Sequence, residues 1–170
     1  LEIQRRLAQK NPEAFESDVA STLNNLALLH TDTQRLDLAE KEYIEALEIY
    51  RRLAQKNPEA FESNVASTLT NLALLHSDTR RLDLSEKEYI EALEIQRRLA
   101  QKNPEAFESD VADTLNNLAL LHSDTRRLDL AEKEYIEALE IRRRLAQQNP
   151  EAFESDVAQT LNNLANLHQN

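Results

Sequence analysis

The apolar positions of this chain keep a helical period, and the whole pattern then starts again. Phe15, Val19, Leu23 and Leu26, with His30 following, step by three or four residues and share one face of an α-helix. Ala20 and Ala27 lie beside that stripe and are small enough to admit a neighbouring helix. Asn11-Pro12-Glu13 opens this helix, here helix A, with an N-cap, a first-position proline and an acid that complements the helix dipole. The spacing predicts its end near Thr31. Residues 31–36 (TDTQRL) then read as a turn, and Asp37 with Glu40 as a capping box for a second helix. That helix B, predicted from about Leu38 to Lys56, places Ala39, Tyr43, Ala46, Tyr50, Leu53 and Ala54 on one face, widened by Ile44, Leu47 and Ile49. So broad a stripe suits a helix wedged between its own partner and the next pair. Lys41–Glu45 and Glu48–Arg52 are spaced for pairing on the polar side. Asn57-Pro58 stops helix B and opens the next helix A.

The segment Leu23 to Ala46 returns nearly letter for letter at Leu69 to Ala92 and at Leu115 to Ala138, and its start returns at Leu161 to His168, each displaced by 46 residues. A fixed period of this size marks a stacked repeat architecture, in which no unit buries its apolar face alone. The expected fold is therefore all-α: an α-solenoid of antiparallel helix pairs. The chain divides as a partial helix B over 1–10, complete repeats over 11–56, 57–102 and 103–148, and a final helix A over 149–170. Each helix is expected to span roughly 30 Å. Because the chain has no glycine, the three A-to-B turns need another residue at any positive φ, and Asp32, Asp78 and Asp124 are the expected ones.

Composition narrows the picture further. With 41% apolar residues, no glycine and only 4 prolines, a β-sandwich or barrel is disfavoured, since it needs turn residues at short intervals. The net charge of −11 argues against nucleic acid and anionic membranes as partners. No apolar run approaches a membrane span, and the absence of cysteine removes disulfides and thiolate metal sites. A cytoplasmic location is expected. The opening LEIQRRLAQKNP matches Leu47 to Pro58 at all but one position, so the chain is expected to be a piece of a longer array.

The small and aromatic positions resemble the tetratricopeptide repeat. A small residue in mid helix A, one early in helix B, an aromatic four on and another small residue three further recur as Ala27, Ala39, Tyr43 and Ala46, as Ala73, Ser85, Tyr89 and Ala92, and as Ala119, Ala131, Tyr135 and Ala138. The phrase TLNNLA, ALEI in helix B and a proline opening the next helix are similar to the longer repeats of kinesin light chains. The period of 46 exceeds the family's usual 34, partly through an extended helix B and partly through residues 14–17 at the start of helix A. HEAT-type repeats have a compatible period but do not account for the small–small–aromatic–small spacing. The resemblance implies a right-handed superhelix whose helices A line a concave groove that binds extended peptides.

The groove-facing residues should be those of helix A off the buried stripe. They are Ser21, Asn24, Asn25, Leu28 and Thr31; then Ser67, Thr70, Asn71, Leu74 and Ser77; then Asp113, Asn116, Asn117, Leu120 and Ser123. The resemblance implies that Asn25, Asn71, Asn117 and Asn163 hydrogen-bond the main chain of a peptide. An amide both donates and accepts, so it can hold a backbone without demanding a sequence. The other reading of these amides is that they bridge neighbouring helices A. Helices A contain no Lys or Arg, which leaves no basic clamp there for a partner's carboxylate. Leu28, Leu74 and Leu120 read as an apolar strip with an amide and acidic border, suited to a peptide with apolar and basic side chains, or else as leucines buried by a tight superhelix.

The remaining candidate chemistry is thin. One histidine per repeat (His30, His76, His122, His168) reads as a packing position on the apolar face, with a pH response as an incidental consequence of burying neutral imidazole. No paired metal-ligand spacing surrounds any of them, so neither metal nor cofactor is expected. Nearly every polar feature recurs with the fold, whereas a catalytic site is a single constellation, so no catalytic residues are assigned. The units differ in few places. One line runs Ser21, Ser67, Asp113, Gln159; another runs Gln4, Tyr50, Gln96, Arg142; a third, in the turn, runs Gln34, Arg80, Arg126. Two functions follow: a peptide-binding protein–protein scaffold, or a structural array that associates head to tail with itself. A sensor region of a larger signalling protein is compatible with either.

Overall fold

The computed structural model describes residues 1–168, and these form eight α-helices: α1 Glu2–Lys10, α2 Pro12–Asp32, α3 Leu36–Lys56, α4 Pro58–Asp78, α5 Leu82–Lys102, α6 Pro104–Asp124, α7 Leu128–Gln148 and α8 Pro150–Leu167. No strand occurs among the described residues. The architecture is an α-solenoid of successive helix pairs, with α2, α4, α6 and α8 as helices A and α3, α5 and α7 as helices B. By contacts the chain divides into two compact units, Leu1–Glu88 and Tyr89–Asn170. In the first, α2 packs on α3, α3 on α4, α1 on α2, and α2 touches α4; in the second, α6 packs on α7, α7 on α8, and α6 touches α8.

The helix starts follow from the sequence. Asn11 and Asn57 accept a hydrogen bond through Oδ1 from the amides of Ala14 and Ala60, each at 3.4 Å, with proline next in line. The same asparagine ends the helix before it, since the Asn57 amide donates to the Leu53 carbonyl at 2.9 Å. One residue thus caps two helices, and the B-to-A junction needs no loop.

The A-to-B turns differ from expectation in three ways. Helix A runs through Asp32, Asp78 and Asp124, which are helical; the positive φ falls two residues later, on Gln34 (60°), Arg80 (61°) and Arg126 (62°). The hydrogen bonds give the reason. Gln34 N–H donates to the Thr31 carbonyl at 3.0 Å and Arg35 N–H to the His30 carbonyl at 2.7 Å, the two bonds of a Schellman closure, which places a left-handed residue at 34. The other two turns repeat both bonds. Thr33, Gln34 and Arg35 are then the whole junction, so helix B begins at Leu36, ahead of the expected Leu38. The capping box is accordingly not formed: the N-cap is Arg35, without a side-chain cap bond, and Asp37 sits in the first turn as a dipole complement.

The core is built where small residues meet a tyrosine. In the first unit Ala27, Ala39 and Ala46 have no exposed surface and Tyr43 is buried among the helices they bring close. Burial pushes the Tyr43 hydroxyl up from its ordinary pKa, against the lowering effect of a hydrogen bond with Thr31. In the second unit Ala119, Ala131 and Tyr135 cluster with Leu167 of α8, and Leu128 and Leu164 pack on them. Burial, with the charges of Asp124 and Glu134, pushes the Tyr135 hydroxyl up to about 12.

Candidate protein-interaction surface

The face of helices A that is turned away from helices B is formed by rows spaced three and four residues apart. In α2 the outward row is Ser21, Asn25, Leu28 and Asp32, all exposed. In α4 it is Ser67, Asn71, Leu74 and Asp78, and in α6 Asp113, Asn117, Leu120 and Asp124, with each asparagine half-buried and the others exposed. Leu28, Leu74 and Leu120 are 50%, 48% and 50% exposed, so they are not absorbed into the stack. A leucine half in water at the same place on three helices, beside an amide, is surface that a partner would gain by covering.

The amides separate into two columns. Asn24 and Asn116 lie in the seam between successive helices A: Asn24 Oδ1 accepts from Thr68 Oγ1 at 3.3 Å, and Asn116, buried, accepts from Asn163 Nδ2 at 3.2 Å. Asn163 therefore spends a donor inside the seam. Asn25, Asn71 and Asn117 belong to the outward row. Thr31 and Thr70 turn their hydroxyls back onto the Ala27 and Ala66 carbonyls, at 2.9 and 3.1 Å. Ser77 and Ser123 are half-buried at the end of the face.

Two helix B residues reach this face from behind, and neither was anticipated. Tyr50, buried in α3, is hydrogen-bonded with Ser21 and with Asn64, and burial pushes its hydroxyl up. Arg142, whose side chain is 6% exposed, donates from Nη2 to Asp113 Oδ1 at 2.6 Å while the Asp113 side chain stays 56% exposed. Its Nη1 donates to Thr160 Oγ1 at 2.6 Å and to the Asp156 carbonyl at 3.1 Å. Asp110, pushed up mainly by burial and secondarily by the charge of Asp113, stands beside the pair. One cation thus does reach the A face, although helices A carry none, and its guanidinium is committed to Asp113. The sequence held a signal for both residues: the helix B column that varies most, Tyr50, Gln96 and Arg142, is one that contacts a varying column of helix A.

The histidines differ from expectation as well. They are surrounded not by apolar side chains alone but by carboxylates of helices B. His30 Nδ1 meets Glu42 at 2.6 Å; His76 meets Glu88 through Nδ1 at 2.7 Å and Glu40 through Nε2 at 3.2 Å. His122 Nδ1 meets Glu134 at 2.7 Å, and His168 Nε2 meets Glu132 at 2.9 Å. Arg81 adds a bond to Glu40 at 2.5 Å, and it is chiefly this guanidinium that holds the Glu40 carboxyl below its ordinary pKa. Glu88 is pushed the other way by burial, partly offset by His76. His76 thus ties α4 to the helices B on either side of it, while His30, His122 and His168 each meet a helix B carboxylate. Among the described residues no group of His, Cys, Asp and Glu is arranged to hold a metal ion. No helix there is long and apolar enough to cross a membrane.

Two clefts open at B-to-A junctions. One, of about 340 Å³, is lined by Arg5, Pro12, Glu16, Val19, Glu45 and Ile49; its counterpart, of about 430 Å³, is lined by Arg97, Pro104, Glu108, Val111, Glu137 and Ile141. Their rims are closed ion pairs, Arg5–Glu45 at 2.6 Å, Arg52–Glu16 at 2.9 Å and Arg97–Glu137 at 2.6 Å. Such exposed pairs contribute little to stability or to ligand attraction.

Comparison with known proteins agrees with this architecture. The sequence profile of the tetratricopeptide repeat matches residues 19–59, 65–105 and 111–151. No curated protein matches the sequence. Among solved structures, BtubC (BKLC) from P. vanneervenii is similar over 99% of this chain and 78% of its own, with a TM-score of 0.57 and 24% identity, a likeness of fold.

Proposed function

The chain belongs to the tetratricopeptide repeat family, whose repeats serve as scaffolds for protein–protein interaction, and from that premise we propose that it binds an extended peptide on the A-helix face without catalysing a reaction. The observation that carries this reading is the recurrence of a half-exposed leucine one turn from an outward asparagine, Leu28 and Leu74 in the first unit and Leu120 in the second. In the proposed complex the leucines take apolar side chains, while Asn25, Asn71 and Asn117 exchange hydrogen bonds with the peptide main chain. Asp32, Asp78 and Asp124 border the row and favour a basic residue in the partner, in keeping with the net charge of −11. Asn24, Asn116 and Asn163 support the face from the seam. Asp113 and Ser67 stand at its other border.

The test begins with selection of peptides from a random display library on the immobilised chain. Binding of the selected peptides is then measured by fluorescence anisotropy to the parent and to N71A/N117A. The expected result is a loss of affinity of at least tenfold with unchanged helicity, and L74E/L120E should abolish binding. Peptides that bind all three proteins alike would dismiss the A face as the site.

A second reading, self-association, rests on a different observation. Leu161 of α8 is 40% exposed, whereas Leu23, Leu69 and Leu115 at the same repeat position are each 1% exposed. This is the face that a helix B covers elsewhere in the array, and a further helix of any origin would fit it. Sedimentation of the chain over a range of concentrations separates the readings: a monomer throughout excludes pairing through this face.

A further inference from the structure

Near-identical repeats carry a hazard. If every apolar stripe is interchangeable, any helix A can pack on any helix B, out of register in one chain or exchanged between two. The stripes here are close to identical, so what distinguishes one seam from another must lie in the residues that differ. Two of the varying columns meet. At the first seam Tyr50 of α3 is hydrogen-bonded with Ser21 of the helix A before it and Asn64 of the helix A after it. At the last seam Arg142 of α7 bonds Asp113 of the helix A before it and Thr160 and the Asp156 carbonyl of the helix A after it. The two helix B residues occupy the same repeat position, are both buried, and each spans two helices A.

Their chemistry is not exchangeable. A guanidinium at position 50 would face Ser21 and Asn64, with Asp18 nearby but no carboxylate at the position that Asp113 holds in the third repeat. A phenol at position 142 would leave Asp113 without its partner, beside Asp110. Gln96, the residue of this column in α5, is buried, with its Oε1 lacking a hydrogen-bond partner. A buried ion pair adds little net stability over an apolar pair of similar size, and its best-attested use is to fix register. The Arg142–Asp113 pair suits that use: Arg142 is buried while Asp113 stays 56% exposed, and the guanidinium also bonds Thr160 and the Asp156 carbonyl, with its Nε left without a partner.

We propose that these two clusters, Tyr50–Ser21–Asn64 and Arg142–Asp113–Thr160, form a registry code that selects which helix A stacks on which helix B and keeps copies of the chain from exchanging helices.

The test uses the whole chain and its lack of cysteine. The reporter N116C/N163C replaces two side chains that touch in the native register, at 3.2 Å. In the parent, oxidation or a short thiol-reactive linker should join them within one chain. D113S/R142Q gives the third repeat the residues that the second has at these positions, Ser67 and Gln96. In that background the share of cross-links formed between chains should rise several-fold, with helicity maintained. Should D113S/R142Q fail to fold, Y50Q carries the same test at the first seam, with N24C/T68C as reporter across a 3.3 Å contact. Cross-linking that stays within one chain in the folded variant, to the same extent as in the parent, overturns the proposal. So does a parent that already cross-links mainly between chains.

Discussion

Each A-to-B turn holds a residue with a β-carbon in the left-handed region: Gln34 at φ 60°, Arg80 at 61° and Arg126 at 62°. For an L-residue other than glycine this conformation costs roughly 1–2 kcal/mol, because Cβ crowds the following carbonyl. Glycine removes that crowding but loses more freedom on folding, which offsets about 0.5–1 kcal/mol of the gain. Replacing Gln34 by glycine should therefore stabilise the fold by about 0.5–1 kcal/mol. Arg126→Gly should do the same in the second unit. The two turns lie in different units, so the effects should add to about 1–2 kcal/mol. For a chain of this size, 1 kcal/mol moves the midpoint by roughly 2–4 °C, which puts Q34G/R126G about 2–8 °C above the parent.

Thermal and urea unfolding followed by far-ultraviolet circular dichroism would measure this, with Q34A/R126A as the control. Alanine keeps the β-carbon and hence the strain, so the control should melt close to the parent. Arg80 is left unchanged, because its side chain takes part in other interactions and would mix two effects. If the glycine variant melts no higher than the alanine control, backbone strain at the turn is not the quantity being relieved, and the reasoning fails.

Two further outcomes follow from side chains already placed. Glu40 is held below its ordinary pKa mainly by Arg81, so its contribution to stability is present in full above about pH 4.5 and is lost as the pH falls through its folded pKa. Arg81→Gln removes that hold and should move the midpoint of acid unfolding to higher pH; an unmoved midpoint would show that the pair carries no linkage. Leu69 and Leu74 lie on one helix, 1% and 48% exposed. L69A should cost about 2–5 kcal/mol in urea unfolding, whereas L74S should stay within about 0.5 kcal/mol of the parent. A large loss at L74S would mean that Leu74 belongs to the core and not to an interaction face.

The helices and their small–aromatic–small core were legible in the sequence because both follow from period alone. A stripe of Phe15, Val19, Leu23 and Leu26 has no other regular structure open to it, and Ala27 opposite Tyr43 is a statement about available volume. The turns were not legible at single-residue precision. Asp32 is a better left-handed residue than Gln34 by intrinsic preference, but preference does not decide where a helix ends. The Schellman bonds from Gln34 to Thr31 and from Arg35 to His30 do, and they need the helix carried through Asp32 first. The strain at Gln34 is then what the chain accepts for a three-residue reversal without glycine.

The candidate face was legible in outline and not in detail, for a related reason. Periodicity places Asn24 and Asn25 together off the buried stripe, yet the structure puts one in the seam with Thr68 and leaves the other exposed. That division depends on how close one helix A comes to the next, which no single helix encodes. Variation between repeats carries some of the missing information. A position that only fills volume can be copied from unit to unit, as Ala27, Ala73 and Ala119 are. A position whose partner lies on another helix is constrained by that partner, and where Ser21 stands with Tyr50 the third repeat has Asp113 with Arg142. In a chain of near-copies, paired departures between units therefore indicate contacts across helices, while departures confined to one exposed column mark surface open to divergence.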